Sequence, residues 1–181
     1  MEKANPSEEP VETETIYSGK VIEVVKDVEK LPNGKIVVRE IVRHPGAVAM
    51  VPLLGDYIIM VRQFRKACDR VLLEIPAGTL RGGEEPEECA RRELIEETGY
   101  AAGRLERMFH CFLAPGYSSE IVHVYLATDL SQTEQHVEED EFIDVVKIDL
   151  ATALQMIGRN EIEDAKSISG ILYLKQYLNG K

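Results

Sequence analysis

Along this chain, apolar positions fall first into short extended runs and later into helical spacing. Val21–Val25 is an almost continuously apolar run, and Ile36-Val37-Val38-Arg39-Glu40-Ile41-Val42-Arg43 is a second. Between them Leu31-Pro32-Asn33-Gly34 signals a turn, since Asn-Gly accepts positive φ, so an antiparallel hairpin is predicted. Ala47–Leu54 and Tyr57–Phe64 are joined by Gly55-Asp56, which suits a two-residue hairpin loop. Val71–Ile75 predicts a short strand that ends at Pro76-Ala77-Gly78. Leu105–Leu113, Ile121–Thr128 and Phe142–Ile148 read as strands, and Leu150–Arg159 and Asp164–Leu178 as helices capped by Asp149 and Asp164. In the last helix Ile168, Ile171, Leu172 and Leu178 recur near helical spacing, which predicts a core-packing element. Many strands with helices between and after them predict an α+β or mixed α/β layered fold.

One helix departs from this logic. From Gly78 to Tyr100 a glycine-rich loop leads into a helix with Glu85 at the N-cap, Pro86 at the first position and Gly99 just past the end. At about 100° per residue, Glu93, Glu96 and Glu97 share one sector of that helix. Like charges at this spacing repel, and the C-terminal end of a helix favours cations. A solvated acidic face is one reading. A hard divalent cation held by the carboxylates, with coordination positions left for substrate phosphate, is the other.

The full spacing decides between them. Gly78, Glu84, Arg92, Glu93, Leu94, Glu96, Glu97 and Gly99 match the pattern of a glycine, five residues, Glu, seven residues, then Arg-Glu-Leu-x-Glu-Glu-x-Gly. The stretch resembles the signature of the Nudix hydrolases; Tyr100 stands where that signature usually has an aliphatic residue. The resemblance implies an α/β (α+β) Nudix fold, a mixed β-sheet sandwiched between helices, here with an N-terminal antiparallel β-hairpin extension. It also implies Mg²⁺, with Mn²⁺ as a substitute, held by the Ala77 carbonyl, Glu93, Glu96 and Glu97. Arg92 is then the buttress of the glutamates, pairing with Glu88 or Glu96, and Glu93 and Glu97 are catalytic. Glu84 accepts loop N–H groups or binds a metal-bound water. A base is still required to activate water, and Glu138-Glu139-Asp140-Glu141 supplies carboxylates, with Glu139 favoured and Glu141 second. That run reads equally as a solvated acidic loop.

The ADP-ribose pyrophosphatase branch carries a proline sixteen residues beyond the last signature glycine, and Pro115 stands there after Gly99. Pro115-Gly116 followed by Glu120 matches that branch, although Ala114 replaces its usual serine. Arg43-His44-Pro45-Gly46-Ala47, Arg62-Gln63-Phe64-Arg65 and Leu73-Glu74-Ile75-Pro76-Ala77-Gly78 are similar to it too. The resemblance implies substrate contacts from Arg43, Arg65, Glu74 and Glu120; on the residues alone, each arginine reads equally as a solubilising charge at a strand edge. The activity implied is hydrolysis of ADP-ribose to AMP and ribose 5-phosphate. Alternatives are another nucleoside diphosphate sugar, NADH or a diadenosine polyphosphate, and a Nudix module that senses a nucleotide without cleaving it. The resemblance further implies a homodimer in which the N-terminal hairpin reaches the partner's site. Tyr17 reads first as a core or interface residue, with stacking on adenine as the alternative.

Composition narrows the rest. The 181 residues suit one domain with an appended part, read as a mobile tail at 1–13, a β extension at 14–45 and the hydrolase domain at 46–181. A formal net charge of -11 argues against a nucleic-acid partner. Cys68, Cys89 and Cys111 lack metal or disulfide spacing and read as reduced, mostly buried thiols of a cytoplasmic protein. No apolar run reaches the length of a membrane span. His44, His110, His123 and His136 have no ligand spacing, and His110 and His123 read as strand residues on alternate faces.

Overall fold

The computed structural model describes residues 9–137 and 142–180. Two compact units are present. One comprises the described residues up to Pro45 together with Phe112–Ile121, and the other Gly46–Cys111 together with the described residues from Val122 onward.

In the first unit β1 (Glu9–Ser18), β2 (Glu23–Lys30) and β3 (Ile36–Arg43) form an antiparallel sheet in the order β1-β2-β3. The β2–β3 hairpin closes at the predicted turn, where Gly34 has φ 80° and its N–H bonds the Leu31 carbonyl at 2.8 Å. Residues 9–13, read from sequence as part of a tail, belong to β1 and pair with β2. Phe112–Ile121, placed by sequence in the second domain, joins this unit because the end of β3 binds it. Val42 N–H donates to Tyr117 O at 2.7 Å, Ser119 N–H to Val42 O at 3.0 Å, and His44 N–H to Ser119 Oγ at 3.0 Å.

In the second unit, apart from the end residues Phe112 and Ile121, β4 (Ala47–Leu54), β5 (Tyr57–Arg65), β8 (Tyr100–Phe112), β9 (Ile121–Gln132) and β10 (Ile143–Asp149) run in the order β10-β5-β4-β9-β8. Two shorter strands join them: β6 (Arg70–Glu74) pairs with β5, and β7 (Ala77–Thr79) pairs with β4. The sheet is mixed, since β4 is parallel to β9 and antiparallel to β5 and β7. Strand β7 was not predicted, because its residues Ala77-Gly78-Thr79 carry no apolar alternation.

The helices are α1 (Pro86–Thr98), α2 (Leu150–Gly158) and α3 (Ala165–Asn179). Asp149 and Asp164 cap α2 and α3 as expected, Asp149 accepting from Thr152 N–H and Asp164 from Lys166 and Ser167 N–H. Glu85 occupies the N-cap of α1 without a side-chain cap bond.

Period-two alternation in β4 and β9 builds two cores from one pair of strands. Val48 and Met50 of β4, with Tyr125 and Ala127 of β9, pack under Cys89, Ala90 and Leu94 of α1. The opposite faces put Val51 and Val124 against Gly170 of α3. The sheet is therefore sandwiched between α1 and α3. A β-carbon at Gly170 would meet Val51 Cγ2 at 3.0 Å and Ile75 Cδ1 at 3.2 Å, so a larger side chain must displace both. Gly170→Leu should cost about 2 kcal/mol in urea unfolding through overpacking, despite the better helix propensity of leucine.

Candidate active site

The loop before α1 brings its backbone unusually close to the helix. Gly78 is needed for that approach rather than for a special φ: a β-carbon there would fall inside the Glu93 carboxyl group. One residue earlier, Ala77 N–H donates to Glu97 Oε2 at 3.0 Å, and Glu97 is 3% exposed. The backbone of β7 thus seats two of the three signature carboxylates.

Arg92 gathers the rest. Its Nε and Nη2 form a fork on Glu84 at 2.9 and 3.0 Å, while Nη1 donates to Glu93 Oε1 at 2.6 Å and Glu96 Oε2 at 2.8 Å. The expected pairing with Glu96 is present, and the other partners are Glu93 and Glu84 rather than Glu88. The geometry favours this set because a fork onto Glu84 satisfies two donors in one plane. Glu84 also accepts from Arg81 N–H at 3.0 Å, the loop contact expected of it. Bonds from Arg92, opposed by burial and assisted by the Arg81 amide, hold the Glu84 carboxyl down at about 2. The same bonds raise the Arg92 guanidinium above its ordinary range. Cys89, buried beneath them, is pushed up to about 12 by desolvation and the Glu84 charge, and so is a packing thiol. The three cysteines are free, with Cys89 buried, Cys111 half-buried and Cys68 exposed, so the expected burial holds for one of them in full.

No basic residue lies in the last turn of α1. Its carbonyls are met instead by the chain leaving β9. Thr133 N–H bonds Gly99 O at 2.7 Å, His136 N–H bonds Glu96 O at 3.0 Å, and Gln135 Nε2 bonds Glu97 O at 2.6 Å. Gly99 adopts the left-handed conformation, φ 67°, that lets the chain turn there.

Among the described residues, no three His, Cys, Asp or Glu side chains converge as a ready metal cage. The geometric reason is that Glu93 and Glu96 both turn toward Arg92 Nη1. Their chemistry nevertheless fits a hard divalent cation. The donors are carboxylate oxygens on one helix face, Glu97 is sunk in the wall of the site, and Gly78 leaves space that Glu93 fills.

A second cluster lies in the same unit. Arg65 Nε and Nη2 form a fork on Glu74 at 2.9 and 2.8 Å, and Lys166 Nζ bonds Glu74 Oε2. Burial opposes the Glu74 charge, but the bonds from Arg65 and the charge of Lys166 prevail and hold its carboxyl below the usual value. Glu74 is 1% exposed, so it orients Arg65 and does not itself face solvent. Arg43 and Glu120 lie in the first unit, where Arg43 Nη1 pairs with Glu23 at 3.1 Å and Glu120 N–H donates to Ser118 Oγ at 3.2 Å. Glu139 and Glu141 lie outside the described residues. His110 and His123 do not stand apart: both Nδ1 atoms lie 3.2 Å from Arg107 Nη2. Lys166 and Gln135 were missed in the sequence. Both read as ordinary polar positions, one beside a recognised cap and one in a loop, and only tertiary pairing distinguishes them.

Glu84 supplies a pH test. Its folded value near 2 lies below its ordinary 4.5, so its stabilisation is complete above about 4.5 and is lost as pH falls from there toward 2. Glu84→Gln should therefore lower the urea midpoint at pH 6, and the gap from the natural protein should shrink as pH falls toward 3.

The NUDIX domain family model matches residues 43–169. The chain is 49% identical over 172 residues to the ADP-ribose pyrophosphatase of Bacillus subtilis, covering 93% of this chain and 92% of that one. It is 43% identical over 171 residues to the methanol dehydrogenase activator of Bacillus methanolicus, with 93% and 92% covered. A solved structure, described as an ADP compounds hydrolase, superposes with a TM-score of 0.86 at 25% identity, covering 96% of this chain and 95% of the other. A signature helix braced by one arginine, a mixed sheet between helices and matches that span nearly the whole chain agree: this protein belongs to the Nudix family.

Proposed function

We propose that this chain is an ADP-ribose pyrophosphatase that hydrolyses ADP-ribose to AMP and ribose 5-phosphate with Mg²⁺, Mn²⁺ serving as a substitute. The observation that carries the reading is the seating of Glu93 on Gly78 and of buried Glu97 on the Ala77 amide. Two carboxylates are thereby fixed by backbone, at the cost of like-charge repulsion that a binding module has no reason to bear. The near-full-length likeness to an ADP-ribose pyrophosphatase supplies the substrate class, a small nucleoside diphosphate.

Divalent metal is a general requirement of the family. Glu93, Glu96, Glu97 and the Ala77 carbonyl would hold it, and when bound it supplies charge neutralisation of the diphosphate and a more acidic water. The chain's own residues do the remaining work. Arg92 and Glu84 keep the carboxylates aligned, Arg65 offers a guanidinium to a phosphate oxygen, and Glu74 holds Arg65 in place. Arg43 and Glu120 are proposed as substrate contacts, Arg43 to phosphate or the terminal ribose and Glu120 to ribose hydroxyls. Glu139, or in second place Glu141, takes the proton of the attacking water. The water oxygen then bonds to one phosphorus as the bridging P–O bond breaks, and the bridging oxygen leaves on the other phosphate.

We also propose a homodimer formed through the β extension, residues 14–45. Exposed Ile16, Val21, Ile36 and Val38 on or beside its strands offer the apolar area that a second copy would cover. Sedimentation at micromolar concentration should give twice the monomer mass; a monomer alone would overturn this part. No helix among the described residues is long and apolar enough to cross a membrane. Three free thiols suit a reducing compartment, and the cytoplasm is where the activity is expected.

A second reading keeps the site and changes the substrate to a different nucleoside diphosphate derivative, such as an ADP-sugar, NADH or a diadenosine polyphosphate. A panel of ADP-ribose, ADP-sugars, NADH and diadenosine polyphosphates, assayed for phosphate-bearing products with and without Mg²⁺, separates the two. Cleavage of ADP-ribose should dominate and vanish with chelator. Glu97→Gln should lower kcat by a factor on the order of 100 or more, as loss of a group that holds the transition state does. Turnover at the natural rate in that variant would remove the metal assignment.

A further inference from the structure

Arg65, Glu74, Asp164 and Lys166 form a compact group of two cations and two anions, set apart from the Arg92 hub. Glu74 is the centre. Arg65 takes one carboxylate oxygen with Nε and the other with Nη2, and Lys166 Nζ binds that second oxygen from α3. Lys166 Nζ also donates to Asp164 Oδ1 at 2.9 Å, and the same oxygen caps the helix through Lys166 N–H at 3.1 Å. Lys166, Asp164 and Glu74 have side-chain exposures of 12%, 13% and 2%, whereas Arg65 retains 37%. Of the four, then, Arg65 is the member that meets solvent, and the other three set its orientation and its effective charge. The bonds and charge of Glu74, helped by the carboxylates of Glu97 and Asp164, favour the charged guanidinium of Arg65 against its burial.

Formally the group is neutral. If Lys166 lost its charge, the group would carry a net negative charge, half-buried and beside the arginine offered to a diphosphate. Arg65 would then be the one cation of the group left to balance Glu74 and Asp164, and an incoming anion would meet a weaker positive field. The stem of Lys166 lies on α3, whose Ser167 Oγ accepts from Ile75 N–H at 2.7 Å and so fixes the helix start to the strand end that carries Glu74.

We infer that Lys166 is a positioning residue for substrate binding, acting on the diphosphate through Glu74 and Arg65. This rests on the proposed role of Arg65 as a phosphate contact. Lys166 touches no reacting atom, so it should govern affinity far more than the chemical step.

The experiment compares Lys166→Met, Lys166→Arg, Arg65→Met and the double variant in the full chain. Lys166→Met should raise KM for ADP-ribose about tenfold and leave kcat within about twofold, the pattern of lost uniform binding. Lys166→Arg, which keeps the charge, should bring KM back to within about threefold of the natural protein. In the Arg65→Met background, Lys166→Met should change KM by less than about twofold, since residues acting through one another do not add. Should Lys166→Met fail to fold, Lys166→Gln takes its place with the same expectations. An unchanged KM in the charge-removing variant, equal falls in kcat and kcat/KM, or full additivity with Arg65→Met would each overturn the inference. Calorimetric titration with ADP-ribose in the absence of metal separates this from the functional reading. Natural protein that binds ADP-ribose in this titration yet fails to cleave it once Mg²⁺ or Mn²⁺ is supplied overturns the hydrolase reading and leaves the variant comparison intact as a comparison of affinities; protein that neither binds without metal nor cleaves with it overturns both.

Discussion

The constraint on which the site depends is the accumulation of carboxylates around Arg92. Glu84, Glu93 and Glu96 all reach one guanidinium, which has enough donors to serve each of them without a second cation. Exposed ion pairs contribute little, but here Arg92 and Glu84 keep only 19% and 15% of their side-chain exposure, and the network is mutually braced. Lysine could not replace it, because a single ammonium cannot make a planar fork to Glu84 and also hold two carboxylates on the opposite edge. The packed thiol of Cys89 under the guanidinium closes its lower side, with Arg92 Nη2 at 3.3 Å from the sulfur.

Everything beneath that hub keeps α1 from yielding to the repulsion. The buried Cys89, Ala90 and Leu94 face locks the helix on Val48, Met50, Tyr125 and Ala127, so the polar face cannot roll away. The loop meets the helix where only a glycine fits, and the far end is met by three donors from the chain that leaves β9. These anchors come from β4, β7 and β9, so the helix that carries the carboxylates is tied to three strands.

Much of this was legible in the sequence, for identifiable reasons. Strong periodicity, Asn33-Gly34, Gly55-Asp56, Asp149 and Asp164 marked elements whose signals are local, and the fixed spacing from Gly78 to Gly99 marked the site. Three things were not local. Strand β7 is held by its pairing with β4 and not by its own composition. The choice of Glu84 and Glu93 over Glu88 as partners of Arg92 depends on how the loop folds back. Lys166 lies far from Glu74 in the chain, so no window of sequence contains both. Arg65 and Glu74 were both marked as substrate contacts, yet the fold makes them partners, one facing outward and one sealed in.

The stitching of distant segments also bears on when the site comes into being. The bond from Gln135 to the end of α1 spans 38 residues, and those from α3 to Glu74 and Ile75 each span 92. Contacts of such sequence separation form late, after the loops between them have closed. A chain emerging from the ribosome would carry the whole acidic signature long before it had the strand exit that caps the helix or the lysine that balances Glu74. A chain that ended before the exit of β9 or before α3 would thus carry the acidic motif without the contacts that brace it.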